Sequence, residues 1–345
     1  MREARAERVR ALLEAPLLVT KPVNVWYLTG LDSSNAAVLV EPGQLRIFTD
    51  FRYAEKARAT GLEVSIIARQ LFTELPALLP PRVAFEAEHL VYSSWAALDE
   101  AGVETVPTRQ LVESVRAVKE EAELEAISRA AAITNECFER LAEQPFLGRT
   151  EKELAWWVES LMRELGADGP AFPIIVAAGT NGATPHASPG DRPIEPGQTV
   201  IVDAGAKLDG YHSDCTRTFA AGELPEQLAR SYDVCLRAQL AGLGAARVGA
   251  AGREVDAAAR EVIAAEGLGE LFGHGLGHGV GAELQEQPWL QPWSDNVLAA
   301  GMVTTVEPGI YHAGVGGIRI EDLVIVDEDG PRVLTGFTKE LVSVS

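Results

Sequence analysis

A hairpin signal near the middle of this 345-residue chain constrains its fold more than any other sequence feature. Two strand-like runs, residues 198–205 and 211–219, flank the dipeptide Asp209-Gly210, which favours a tight two-residue turn. Each run carries one aspartate among apolar neighbours, Asp203 in the first and Asp214 in the second. Because the turn folds one strand back on the other, we expect the two carboxylates to lie within a rung or two of each other.

This pair of facing aspartates indicates a bound cation. Aspartate is a poor strand residue, and two ionised carboxylates that meet away from water repel each other. A divalent metal ion would remove the repulsion, because hard cations take carboxylate ligands. The pair alone leaves a second interpretation open, in which one or both aspartates are exposed positions of the hairpin.

Two histidines, His274 and His278, follow in a glycine-rich segment that spans residues 272–281. Glycine at this density lets the backbone run close to another element or to a ligand. Taken alone, each histidine is also explained as a buried structural residue. The segment therefore indicates a metal site only in combination with the acidic residues.

Two glutamates complete a candidate ligand set. Glu307 ends a strand-like run at residues 303–306, and Glu321 lies in a second run, residues 318–326. Strand alternation places Arg319 and Glu321 on one face, where a simple ion pair is the alternative explanation. Two aspartates, one histidine and two glutamates together suit a pair of divalent metals held mostly by oxygen with one imidazole.

The pattern of helices and strands predicts two domains, residues 1–115 and 116–345. Strand-like and helical runs alternate over residues 16–113, which is typical of an α/β domain. Long helical patterns follow, beginning with residues 120–143 and then a capping-box sequence at Thr150 and Glu153. Because these helices are segregated from antiparallel strands, the second domain is predicted to be α+β.

Charge and composition exclude several classes of function. The formal net charge of −20 argues against nucleic-acid and anionic membrane partners, which need clustered lysine and arginine. The three cysteines form no Cys-x-x-Cys pair, so neither a disulfide framework nor a thiolate zinc site is expected. We find no signal-peptide core and no run of eighteen apolar residues, and we therefore expect a cytoplasmic protein.

The five candidate ligands, in this order and spacing, resemble those of the pita-bread metallopeptidases, a creatinase/methionine aminopeptidase-like fold. The similarity covers residues 118–345 and rests on the segments 202–205, 211–217, 277–281, 306–311 and 317–322. Segments 24–30 and 49–53 resemble the smaller N-terminal domain of the members that act on Xaa-Pro bonds. The resemblance implies an α+β catalytic domain behind an N-terminal α/β domain.

The resemblance also implies a role for each site residue. Asp203 would chelate one of two divalent metal ions (manganese, cobalt or zinc), Asp214 and Glu321 would bridge both, and His278 and Glu307 would complete the other. His186 would hydrogen-bond the substrate at the scissile bond, His274 would line a proline pocket, and Arg319 would steady the site or touch the substrate. Glu307 would also take up the proton when a metal-bound hydroxide attacks.

The implied activity is hydrolysis of the Xaa-Pro bond, preferentially in dipeptides, by a homodimer. A dipeptide preference requires a positive group for the substrate carboxylate, and Arg46, Arg52 and Arg319 are candidates by charge. The two arginines of the first domain are otherwise explained as solvated surface residues. Alternatives are an aminopeptidase P that accepts longer peptides, a metal-free creatinase, and a non-catalytic module that binds peptides or proteins.

One position departs from the family pattern. Family members have a second catalytic histidine seven residues after the metal-binding one, and here that position is Gln285. Glutamine can donate a hydrogen bond to an oxyanion but carries neither a proton nor a charge. The departure therefore bears on the reaction rate more than on the metal site.

Overall fold

The computed structural model describes residues 2–345, which divide into two compact units, and the division along the chain falls between Arg116 and Ala117. The sequence predicts a boundary between residues 115 and 116. None of the helices described in residues 2–345 is long and apolar enough to cross a membrane.

The first unit is built on one six-stranded mixed sheet with strand order β4-β3-β2-β1-β5-β6. Its strands are β1 (Leu17–Val19), β2 (Ala36–Glu41), β3 (Gln44–Thr49), β4 (Glu63–Ile66), β5 (Arg82–Glu86) and β6 (Glu104–Thr108). Its helices are α1 (Arg2–Arg10), α2 (Pro22–Thr29), α3 (Ala54–Ala59), α4 (Leu71–Glu74), α5 (Tyr92–Glu100) and α6 (Leu111–Ala117). This alternation agrees with the predicted α/β domain.

Local sequence explains several of these elements. Helix α2 begins with Pro22, whose fixed φ suits a first helical position, and ends at Gly30 in a left-handed conformation. Strands β2 and β3 form a hairpin, and β2 is buried along almost its whole length because both sheet faces are covered.

The second unit combines four long helices with several small sheets. Its helices are α7 (Glu121–Ala142), α8 (Glu151–Glu164), α9 (Glu226–Ala245) and α10 (Gly252–Ala265). Its first strands are β7 (Gly169–Pro170), β8 (Ile175–Ala178), β9 (Gln198–Asp203), β10 (Ala206–Leu208), β11 (Tyr211–His212) and β12 (Thr216–Ala221). The later strands are β13 (Gly277–Gly279), β14 (Glu286–Leu290), β15 (Val303–Val306), β16 (Gly309–His312), β17 (Gly316–Arg319), β18 (Asp322–Ile325), β19 (Arg332–Val333) and β20 (Ser343–Val344).

The sheets of this unit bring distant segments together. Their strand orders are β11-β10-β7, β20-β12-β9-β8, β14-β13-β15-β18-β19 and β16-β17. Helix α8 starts as predicted, because Thr150 and Glu153 form a reciprocal capping box. The Asp209-Gly210 turn also forms as predicted, and both residues have positive φ.

Two runs that were predicted as single strands are each divided in the structure, so these two predictions are wrong. The run 211–219 is divided into β11 and β12, and the run 318–326 into β17 and β18. At the first break the two arms of the hairpin approach very closely, since a Cβ on Gly205 would lie 1.9 Å from the Ser213 carbonyl oxygen. Asp214 and Glu321 lie in these two breaks, so their side chains are freed from regular strand alternation.

Candidate active site

A cavity of about 440 Å³ in the second unit collects most of the candidate site residues. Its wall includes ten of the residues singled out by sequence or adjacent to them: Pro185, His186, Asp203, Asp214, His274, His278, Gln285, Glu307, Arg319 and Glu321. An apolar side is formed by residues that include Phe172, Ile175, Leu284 and Trp289. The volume suits a small ligand of a few residues.

Three carboxylates form the centre of the site. Asp203 ends β9, Asp214 precedes β12, and Glu321 precedes β18. Their ligand atoms all lie within 4.8 Å of one another. The antiparallel pairing of β9 with β12 sets Asp203 opposite Thr216, two residues from Asp214, so the predicted proximity of the two aspartates is what the strand register produces.

His278 and Glu307 join this cluster from a different sheet. The Nε2 atom of His278 lies 3.7 Å from Asp214 Oδ2 and 3.4 Å from Glu307 Oε1. The other ring nitrogen of His278, Nδ1, lies 3.1 Å from the Gly279 carbonyl oxygen, which can only accept a hydrogen bond. In the neutral ring Nε2 therefore carries a lone pair that faces carboxylate oxygens, and this is how metal-binding histidines are arranged.

The cluster holds more buried carboxylates than positively charged groups. Burial raises the pKa of Asp203, Asp214 and Glu321, and for Asp214 and Glu321 the neighbouring carboxylates raise it further. One oxygen of Asp203, Oδ1, is buried without a hydrogen-bond partner. A cluster of acceptors with an unpartnered buried oxygen fits a cation, so the residues present suit divalent metal ions.

Arg319 links the parts of the site. Its guanidinium donates to Asp203 Oδ2 at 2.7 Å, to Thr216 Oγ1 at 3.1 Å, and to the Pro185 carbonyl oxygen and the Tyr311 hydroxyl at 3.0 Å each. Of the described residues that line the cavity, Arg319 is the single arginine or lysine. Because these contacts occupy four of its five N–H donors, its main effect is to hold the site together.

His274 is held in a defined tautomer. Its Nδ1 lies 2.8 Å from the Gly275 carbonyl oxygen, and its Nε2 lies 3.0 Å from the Tyr311 hydroxyl. Burial lowers the pKa of His274, which favours a neutral ring with the proton on Nδ1. The Tyr311 hydroxyl therefore donates a hydrogen bond to His274 Nε2 and accepts one from Arg319.

Three hydroxyl residues were not predicted as part of the site. Tyr311 joins His274 to Arg319, Thr216 Oγ1 donates to Glu321 Oε2 at 2.8 Å, and Thr305 Oγ1 donates to Glu307 Oε1 at 3.0 Å. Strand alternation offered a signal for the threonines, because each lies two residues after or before a candidate ligand. Tyr311 gave no such local signal.

The remaining predicted residues fall in two places. His186 and Gln285 are exposed side chains of the cavity wall. Arg46 and Arg52 lie in the first unit, where Arg46 pairs with Glu41 at 2.9 Å and Arg52 with Asp50 at 2.7 Å. The predicted contact of these two arginines with substrate stays a prediction.

Comparison of the sequence with models of known protein families identifies the family of this chain. The model of metallopeptidase family M24 matches residues 125–328. The chain belongs to metallopeptidase family M24. A creatinase/prolidase N-terminal domain matches residues 5–118, so this metallopeptidase has the predicted α+β pita-bread domain behind the predicted N-terminal α/β domain. The prediction of a metal-dependent peptidase is confirmed.

Individual relatives of this metallopeptidase extend over almost its whole length. An Xaa-Pro dipeptidase of Pyrococcus furiosus is 34% identical and covers 94% of each chain. The structure of an Xaa-Pro dipeptidase from Bacillus anthracis superposes with a TM-score of 0.96 at 37% identity and covers 100% of both chains. An X-Pro aminopeptidase from Thermotoga maritima superposes with a TM-score of 0.89 at 33% identity and covers 98% of this chain and 100% of that one.

Proposed function

We propose that this metallopeptidase hydrolyses the bond between an N-terminal residue and proline, with dipeptides as preferred substrates. The observation that carries the proposal is the meeting of the five candidate metal ligands in a cavity whose wall also holds His186 and His274. The similarity to two proteins named Xaa-Pro dipeptidase supports the choice of substrate.

The five candidate ligands suit a pair of divalent cations. Four carboxylates and one guanidinium carry a formal charge of −3, which one divalent cation brings to −1 and two bring to +1, so the site accommodates a second ion without a large excess of charge. Asp203 would hold one ion, Asp214 and Glu321 would bridge both, and His278 with Glu307 would complete the second. When bound, the ions supply Lewis-acid polarisation of the scissile carbonyl and activation of the attacking water. Manganese, cobalt and zinc all suit such ligands.

The protein's own groups move the proton and bind the substrate. Glu307 accepts a proton from the attacking water and returns it to the leaving proline nitrogen, since its Oε1 already faces the ligand cluster. His186 and Gln285, exposed in the wall, donate hydrogen bonds to the developing oxyanion. His274, kept neutral and fixed by Tyr311, forms part of the proline pocket.

A second candidate is aminopeptidase activity on longer Xaa-Pro peptides. Arg319, the single arginine or lysine among the described lining residues, is already bound to Asp203, so the described cavity wall offers no other guanidinium or ammonium group for a dipeptide carboxylate. The similarity to the Thermotoga maritima X-Pro aminopeptidase agrees with this candidate.

The deciding experiment uses metal-stripped protein with manganese, cobalt or zinc added separately. Ala-Pro and Met-Pro are compared with Ala-Pro-Ala, and Ala-Ala serves as the control without proline. We expect the two dipeptides to be cleaved faster than the tripeptide, and Ala-Ala to resist cleavage. Faster cleavage of Ala-Pro-Ala would favour the aminopeptidase, and equal cleavage of Ala-Ala would refute proline selectivity.

A ligand substitution tests the metal site directly. Asp214→Asn removes a bridging carboxylate, so we expect loss of bound metal and of activity. Retention of two metal equivalents and full activity by a folded variant would refute the proposed site. We also propose a cytoplasmic homodimer, which light scattering on the purified protein and cell fractionation would test.

A further inference from the structure

The loop that carries His186 joins β8 to β9 and follows the cavity wall. Pro185, His186, Ala187 and Ser188 all line the cavity, yet the loop contains only a short turn of 3-10 helix at Gly179–Ala183. A histidine on such a segment needs external support to keep its ring in one place, since irregular loops are the more mobile parts of a fold.

That support comes from a buried carboxylate outside the cavity lining. Glu151, only 4% exposed, accepts a hydrogen bond on Oε1 from the Ala178 amide at 2.6 Å. Its Oε2 accepts from Asn181 Nδ2 at 2.8 Å and from the Gly190 amide at 2.5 Å. Asn181 Nδ2 also donates to the Ser188 carbonyl at 3.1 Å. One carboxylate thus ties together Ala178 at the end of β8, Asn181 in the 3-10 turn and Gly190 beyond His186.

Helix α8 does not need Glu151 for its own cap. Thr150 and Glu153 already satisfy the helix start through their capping box. Glu151 is the first helical residue, where the positive end of the helix dipole favours a negative charge. The helix therefore provides a rigid base for a carboxylate whose hydrogen bonds all go to the loop.

We propose that Glu151 is a positioning residue for His186. It clamps the segment 178–190 from one side, while Arg319 binds the Pro185 carbonyl at 3.0 Å from the other. His186 then presents its ring to the substrate at a fixed position, which matters because a hydrogen bond to an oxyanion weakens steeply with misplacement. This inference rests on the proposed substrate contact of His186.

The principal test is a double-mutant cycle with a matched control. Glu151→Gln places an amide N–H₂ where an oxygen accepted a hydrogen bond, whereas Glu153→Gln disturbs the same helix start without touching the loop. We expect Glu151→Gln to lower kcat/KM about tenfold or more in the wild-type background but less than about twofold in a His186→Ala background. Glu153→Gln should stay within about twofold of wild type, and metal content should be unchanged in all variants.

A second variant and a second measurement guard against misfolding and against failure of the proposed function. Asn181→Ala removes one of the three ties and should act in the same direction with a smaller effect. Hydrogen exchange of residues 178–190 should accelerate in Glu151→Gln and not in Glu153→Gln, whether or not the protein cleaves Xaa-Pro bonds. Unchanged exchange, or an equal loss of kcat/KM with and without His186, would overturn the positioning role. Absence of Xaa-Pro cleavage by the wild type would instead refute the function.

Discussion

Gln285 is the wall residue whose chemistry departs from the family pattern. Its amide can donate one hydrogen bond toward a substrate oxygen but cannot become a cation as an imidazole can. His186, on another segment of the same wall, remains the only predicted oxyanion donor with a ring that can protonate. The rate of this metallopeptidase should therefore respond strongly to what stands at position 285.

We expect Gln285→His to raise kcat/KM for Ala-Pro about tenfold, because a positioned imidazole adds general acid or charge stabilisation. It should also add a limb near pH 6–7 to the pH–rate profile, the usual range of an imidazole. Gln291→His, a change in the same cavity wall, serves as the control. A variant that matches wild type in both rate and profile would show that position 285 takes no part in the reaction.

Asp50 makes a pH-dependent contribution to the first unit. Its buried carboxylate accepts two hydrogen bonds from the Arg52 guanidinium, at 2.9 and 2.7 Å, and these hold the pKa of Asp50 well below its usual range. Since the folded pKa lies below the unfolded one, the stabilisation is present at neutral pH and declines as the pH falls below about 4.

We therefore expect Asp50→Asn to lower the free energy of unfolding by about 1–3 kcal/mol at pH 7. The difference from wild type should shrink at pH 3, as measured by urea denaturation at both pH values. Glu55→Gln, which breaks an exposed pair with Arg58, should change stability by less than about 0.5 kcal/mol. An equal loss of unfolding free energy in Asp50→Asn at both pH values would contradict the proposed pH-dependent role of Asp50.

At the scale of elements, the site depends on two strands that approach unusually closely. A Cβ on Gly277 in β13 would lie 2.1 Å from the Thr305 carbonyl oxygen and 2.8 Å from Thr305 Oγ1. The same Oγ1 accepts from the His278 amide and donates to Glu307, each at 3.0 Å. The contact between β13 and β15 therefore sets the distance between two candidate ligands.

Gly277→Ala should force these strands apart and lower the free energy of unfolding by about 2 kcal/mol or more, in the range of overpacking. We also expect loss of at least one bound metal, measured by mass spectrometry of metal content. Gly273→Ala is a matched control in the same segment, because a Cβ there meets nothing within 4 Å. Full metal content in a folded Gly277→Ala variant would refute this coupling.

The elements that sequence predicted are those decided by near neighbours. The Thr150–Glu153 capping box and the Asp209-Gly210 turn each depend on a few consecutive residues. The break at residues 320–321 was missed because it depends on a distant segment, where the Glu321 amide donates to the Thr216 carbonyl. The aspartate, glutamate and histidine ligand candidates were predictable from the chemistry of those residue types. Tyr311 and Glu151 act through long-range contacts, which no local sequence pattern indicates.

At the scale of the whole molecule, bound metal and stability should be linked. Four carboxylates lie close together in the site and Arg319 pairs with Asp203 among them, so mutual repulsion of the carboxylates should oppose folding when no cation is bound. Because an ion that binds only the folded state stabilises it by mass action, the second unit should be weaker without metal. The Asp50–Arg52 pair belongs to the first unit, and none of the described residues that line the cavity does.

Chelation should lower the melting temperature of the second unit by ~5–10 °C, as expected for an ion present at about a hundredfold its Kd. Differential scanning calorimetry with and without chelator measures the change, and re-addition of manganese should reverse it. Asp214→Asn should show little response to chelator. A wild-type melting temperature that is unchanged by chelator would mean that the cluster binds no ion tightly.

The four hydrogen bonds of Arg319 limit what evolution or engineering can place at that position. Lysine preserves the charge, but its single nitrogen cannot reach Asp203, Thr216, Pro185 and Tyr311 in their separate directions. Although lysine is a chemically similar residue, this exchange would disconnect a candidate metal ligand, Thr216, the Pro185 carbonyl of the cavity wall and Tyr311 at once. Directed evolution of the substrate range should therefore keep Arg319 unchanged and vary the apolar side of the cavity, which includes Phe172, Ile175, Leu284 and Trp289.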